Sequence, residues 1–164
     1  MTSPHDLITV AFIGIGATAV MDLWLWVQKR LGVRTLDFAF IGRWAGHLLR
    51  GRFAHASIAQ ASPIRGERAW GWLTHYAAGV AFAGLLFAVQ GPGWVNNPSL
   101  LPAIAVGIGT VVVPLFVMQP AMGAGIAASK TPKPLKNCIR SLANHAVFGL
   151  GLYVAAVVVA LVTP

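Results

Sequence analysis

The chain has 164 residues, of which 57% are hydrophobic and 10% charged, and its mean hydropathy is +0.71. A soluble domain carries nearer a quarter charged residues, so this composition excludes an ordinary soluble fold and describes a chain solvated by lipid. The net charge of +8, from 12 Lys and Arg against 4 Asp and Glu, would point to nucleic acid in a soluble protein. Here the cations sit between the apolar runs, and no nucleic acid is needed to explain them.

The first apolar run, residues 7–27, is long enough to cross a bilayer and carries one carboxylate, Asp22. An acid at mid-membrane costs roughly 2.5–3.5 kcal/mol on insertion scales, so Asp22 requires a partner, a water or a proton. No basic cluster precedes this run and no small-x-small pattern follows it, which predicts a retained helix and not a signal peptide. Further runs at 69–90, 100–119 and 142–162 predict three more spans. The expected fold is all-α: one polytopic membrane domain with four transmembrane helices in a bundle.

The connecting segments differ sharply in charge. Segment 28–68 holds Lys29, Arg30, Arg34, Arg43, Arg50, Arg52, Arg65 and Arg68, segment 120–141 holds Lys130, Lys133, Lys136 and Arg140, and segment 91–98 holds no cation. The positive-inside rule then puts both basic loops in the cytoplasm and both termini outside, in the periplasm if the source is a Gram-negative bacterium. Anionic headgroups are the expected partner, with Arg43, Arg50 and Arg52 as the lipid-facing basic surface.

Within the first loop, Phe40, Ile41, Trp44 and Leu48 share one helical face, while Arg43, His47 and Arg50 share the opposite one. That pattern predicts an amphipathic segment lying in the membrane plane, either passive or presented to a partner or a headgroup. Segment 51–66 reads as irregular, and His47 and His55 read as solvated loop histidines. In the second loop, Pro120, Gly123, Gly125, Pro132 and Pro134 predict a turn, a short helix and a rigid exit. Its string GAGIAASKT fails as a phosphate-binding loop, because Ala124 and Ser129 occupy the positions of both required glycines. The single cysteine, Cys138, excludes an intrachain disulfide.

Membrane helices approach closely where small residues recur at a spacing of three or four. Such stripes run through Gly14, Thr18 and Asp22; Gly71, His75, Gly79 and Ala83; Ala103, Gly107, Thr110 and Pro114; and Ser141, His145 and Gly149. The polar member of each stripe lies toward the basic loops, with Gln119 and Asn144 nearby. Asp22, His75, His145, Gln119, Thr18 and Asn144 are therefore the candidates for a polar pocket open to the cytoplasm. Asp22, His75 and His145 could form a proton relay or a divalent metal site, and each reads equally well as an interhelical hydrogen-bonding group. No nucleophile and base set is recognisable, so no catalytic residue is assigned and no cofactor beyond a divalent metal is implied. Gly-Ile-Gly recurs at 14–16 and 107–109, and His-x-x-x-Gly at 75–79 and 145–149, as a duplicated hairpin would give. Ala77, Ala81 and Gly84 offer a contact for a homo-oligomer.

The strings GIGATAVMDLW (14–24), GRWAGH (42–47), GRFAH (51–55), GERAWGWLTHY (66–76), FVMQPAMGAGIAASKTP (116–132) and HAVFGLGLY (145–153) span nearly the whole chain. Together they resemble an uncharacterised family of bacterial inner-membrane proteins that carries only a domain-of-unknown-function label. The resemblance implies four spans in the inner membrane and implies no activity. The residues themselves favour binding or passage of a proton, a metal ion or a small solute at the pocket. The alternative is an accessory or assembly subunit of a larger membrane complex acting through its basic loops, and a lipid or isoprenoid enzyme comes third.

Overall fold

The computed structural model describes residues 4–33 and 35–162; Arg34 lies outside the described residues. The regular elements of the described residues are all helices, with no strand among them: α1 (Pro4–Arg30), α2 (Phe38–Leu48), α3 (Glu67–Gln90), α4 (Gly93–Asn96), α5 (Leu100–Gly109), α6 (Gln119–Ala121) and α7 (Pro134–Val162). Four stretches are long and apolar enough to cross a membrane, namely α1, α3, Leu100–Ala121 and α7. Large apolar side chains such as Phe12, Leu23, Leu73, Leu101 and Leu161 are exposed along them, the placement expected where the solvent is hydrocarbon.

The third span is not the plain helix that its hydropathy suggests. Pro114 has no amide hydrogen, and its ring crowds the carbonyl one turn back. The backbone responds with a π-wound segment, Val113–Met118, in which the Gln119 amide reaches back five residues to the Pro114 carbonyl. The helix then continues through Pro120 to Ala121, so the expected break at Pro120 falls a residue later. The short helix expected in the second loop is a single 3₁₀ turn, Ile126–Ala128, and Pro134 opens α7, where a missing amide hydrogen costs nothing.

The chain divides into two compact units. The first comprises Met1–Val33, Tyr76–Thr110 and Ala143–Pro164. Its core gathers Ile13, Ala17, Leu86, Phe148, Leu152 and Ala156. Two glycine contacts recur within it. A methyl group at Gly14 would strike the backbone of Gly79 and Val80, and one at Gly107 would strike the backbone of His145 and Gly149. In both contacts the first glycine of Gly-Ile-Gly meets the glycine of His-x-x-x-Gly. A threonine one turn along also donates its hydroxyl to that first glycine's carbonyl, Thr18 to Gly14 at 2.7 Å and Thr110 to Gly107 at 2.6 Å.

The second unit comprises Arg34–His75 and Val111–Leu142. Asp37 caps α2 by accepting from the Ala39 amide. Backbone bonds from His55 to Ala121 (2.8 Å) and from Ile58 to Met122 (3.0 Å) tie the irregular segment after α2 to the end of the third span. Trp44, Ile58, Ala121 and Met122 form the core, with Phe40, Ala61 and Met118 against it. Gly42 leaves no room for a Cβ beside the Glu67 carbonyl, and Gly71 none beside the Phe38 carbonyl, so α2 lies directly on the first turns of α3.

Candidate functional site

In the first unit the spans present polar groups in pairs. Asp22 on α1 accepts a hydrogen bond from the Tyr76 hydroxyl on α3 at 2.9 Å. The Asn144 carbonyl on α7 accepts from the Trp24 indole at 2.9 Å and from the buried Gln28 amide at 2.8 Å. His145 is buried, with Nδ1 2.8 Å from the Thr110 hydroxyl oxygen and its ring near Phe82. The Thr110 hydroxyl has one hydrogen and the Gly107 carbonyl can only accept it, so the network closes with His145 Nδ1–H donating to Thr110. Thr18 is buried, its hydroxyl satisfied by Gly14.

Of the remaining pocket candidates, His75 belongs to the second unit, where its ring centre lies 4.7 Å from that of Phe38 and 6.1 Å from that of Trp72. Gln119 also belongs there, and its buried Oε1 meets no donor among the described residues. Among the described residues, no three His, Cys, Asp or Glu side chains come close enough together to hold a metal ion, so the structure does not assemble Asp22, His75 and His145 as a ligand set.

The second unit corrects the reading of its own loop. Arg43, expected on a lipid-facing basic surface, is 8% exposed. Its guanidinium grips Glu67 through two bonds, Nε to Oε2 at 2.8 Å and Nη2 to Oε1 at 2.9 Å. The third nitrogen donates to the carbonyls of Ile58, Ala59 and Ala61 at 3.1–3.2 Å. Carboxylate pairing raises the Arg43 pKa further above its ordinary value and keeps the charge in place. Arg50 and Arg52 are exposed.

His47 and His55, expected in water, are buried instead. The His47 Nε2 lies 2.9 Å from the Ser62 carbonyl, and its ring stands edge-on to that of His55, with centres 4.9 Å apart and planes at 88°. Neither ring nitrogen of His55 has a hydrogen-bonding partner among the described residues. Burial, together with the nearby positive charge of Arg52, lowers the His55 pKa and favours the neutral ring. The helix α2 therefore forms as its periodicity predicts, but its polar face turns into the protein.

Tyr76, Trp24, Gln28 and Glu67 were not legible as site residues from spacing alone. The signals were present but weak: Tyr76 adjoins His75, Gln28 follows Asp22 within two turns, and Glu67 is one of only four acids in the chain.

Four apolar helical stretches carrying internally paired polar groups define a multi-pass helical membrane protein. The matching family model, over residues 11–159, is described as a protein of unknown function, DUF2938, and the chain belongs to that family. No curated protein and no solved structure matches it.

Proposed function

We propose that this protein resides in the bacterial cytoplasmic membrane, with both basic loops in the cytoplasm and both termini periplasmic, and that its bundle binds or passes a proton or small cation at Asp22. One observation carries the reading: a carboxylate on one span is held by a phenolic hydroxyl on another, Tyr76 to Asp22 at 2.9 Å. A carboxylate within hydrocarbon persists only when something compensates its charge, and an exchangeable proton or cation is the simplest compensation. The phenol fixes the orientation of the carboxylate between the two spans.

The test is flux across liposomes that hold the purified protein and a trapped pH indicator. The wild type dissipates an imposed gradient faster than protein-free vesicles, Asp22→Asn lowers that excess at least about tenfold, and Tyr76→Phe lowers it less. An excess flux that survives Asp22→Asn, or no excess at all, rejects the reading.

The exposure of Arg50, Arg52, Lys130, Lys133 and Lys136 favours a second reading, an accessory subunit that docks through its basic loops on anionic headgroups or a membrane complex. Reversing the charge of Arg50 and Arg52 should then release the partner while Asp22→Asn leaves it bound.

A further inference from the structure

His47 and His55 flank the tight turn at Gly51, and both rings are buried, 8% and 6% exposed. Polar atoms buried without partners destabilise a fold, and both ring nitrogens of His55 are in that position among the described residues. An apolar side chain would fill the place at no such cost. The His47 ring is oriented from behind: the Ser62 carbonyl can only accept, so Nε2 carries the hydrogen and the neutral ring keeps its lone pair on Nδ1. A backbone carbonyl on one ring nitrogen is the usual means of aiming the other at a metal.

The spacing of the rings fits the same end. Two imidazoles that bind one ion at about 2.1 Å place their ring centres about 3.2 Å from it, so centres 4.9 Å apart correspond to an N–metal–N angle of about 100°. That angle suits a tetrahedral ion and excludes a linear two-coordinate one.

We infer that His47 and His55 bind a divalent transition-metal ion of tetrahedral preference, of which Zn²⁺ is the type. His47 donates through Nδ1, and water or an exogenous ligand completes the coordination. Among the described residues no third His, Cys, Asp or Glu joins the pair, so the ion is held more weakly than in a closed structural zinc site and keeps open positions. The exposed Arg52 nearby weakens the site further and disposes the ion to take an anionic ligand. Both histidines belong to the second unit, and the inference does not depend on the function proposed for the bundle.

The test uses the full-length protein in detergent, stripped with chelator, desalted and titrated with Zn²⁺ and then with Co²⁺ as a visible probe. Expected are one ion per chain, a tetrahedral cobalt spectrum and a higher unfolding temperature in zinc. His47→Ala and His55→Gln should each weaken binding at least about tenfold, while His5→Ala, His75→Ala and His145→Ala leave it unchanged. Circular dichroism confirms that each variant is folded. Should a variant fail to fold, X-ray absorption of the zinc-loaded wild type decides by counting imidazoles. Two per ion supports the site; fewer than two, no uptake at all, or binding that survives both substitutions overturns it.

Discussion

The bundle unit and the loop unit meet the cost of burying polar atoms in different ways. In the bundle the helices satisfy their own backbones, and contact is made by removing side chains: Gly14 against Gly79 and Val80, Gly107 against Gly149. Side-chain polarity there is confined to pairs such as Tyr76 with Asp22 and Thr110 with His145. In the loop unit the backbone after α2 is irregular, and its carbonyls need outside donors. One guanidinium serves three of them, at Ile58, Ala59 and Ala61, while its other nitrogens are held by Glu67. Where lipid is the solvent, stability comes from close contact between regular elements. Where the chain is irregular, a buried charge organises it, and that arrangement fails more completely when one member is lost.

The contrast can be broken most severely at Arg43. Arg43→Ala leaves the partly buried Glu67 without its cation and removes a donor from three carbonyls, so it should lower stability by about 3 kcal/mol in a detergent denaturation titration. Replacing both partners together, Arg43→Met with Glu67→Leu, should cost less than either single change, because no lone charge remains. A double variant as unstable as the single one would mean that the carbonyl contacts dominate the pair.

Next in size are the glycine contacts. Gly79→Val and Gly149→Val should each cost about 1–3 kcal/mol through overpacking. Similar losses at both positions would sharpen the recurrence of one contact in two hairpins, and a large difference would break it. A smaller effect of opposite sign is expected at Ala127, which holds φ 50° and ψ 41°, a left-handed conformation that strains any L side chain. Ala127→Gly should raise the unfolding temperature, by up to about 1 kcal/mol in free energy. Smallest of all, Thr110→Val, which deprives His145 of its acceptor, should cost about 0.6 kcal/mol, the average for hydrogen bonds between membrane helices.

Much of the bundle was legible in the sequence because its causes are local. Hydropathy summed over about twenty residues locates a span, and a period of three or four small residues marks the face that approaches a neighbour. Gly14, Thr18, Gly79, Gly107 and Gly149 all lie at such contacts. The pairing partners were harder to see. Asp22 demanded company, yet nothing in its spacing distinguished Tyr76 from the adjacent His75, which packs on Phe38 and Trp72.

By itself the sequence determined four membrane-length apolar helices, the basic character of the loops between them, the amphipathic helix α2 and the close-packing glycines. Each depends on residues within about twenty positions of one another along the chain. Only the tertiary structure decided that the polar face of α2 turns inward. Periodicity separates two faces of a helix but cannot say which of them meets water. Arg43 is buried because Glu67, 24 residues away, and three loop carbonyls repay its desolvation, and His47 and His55 meet because the chain between them doubles back. The energy of a buried charge is a property of its partners, and those partners are set by contacts that no local window contains.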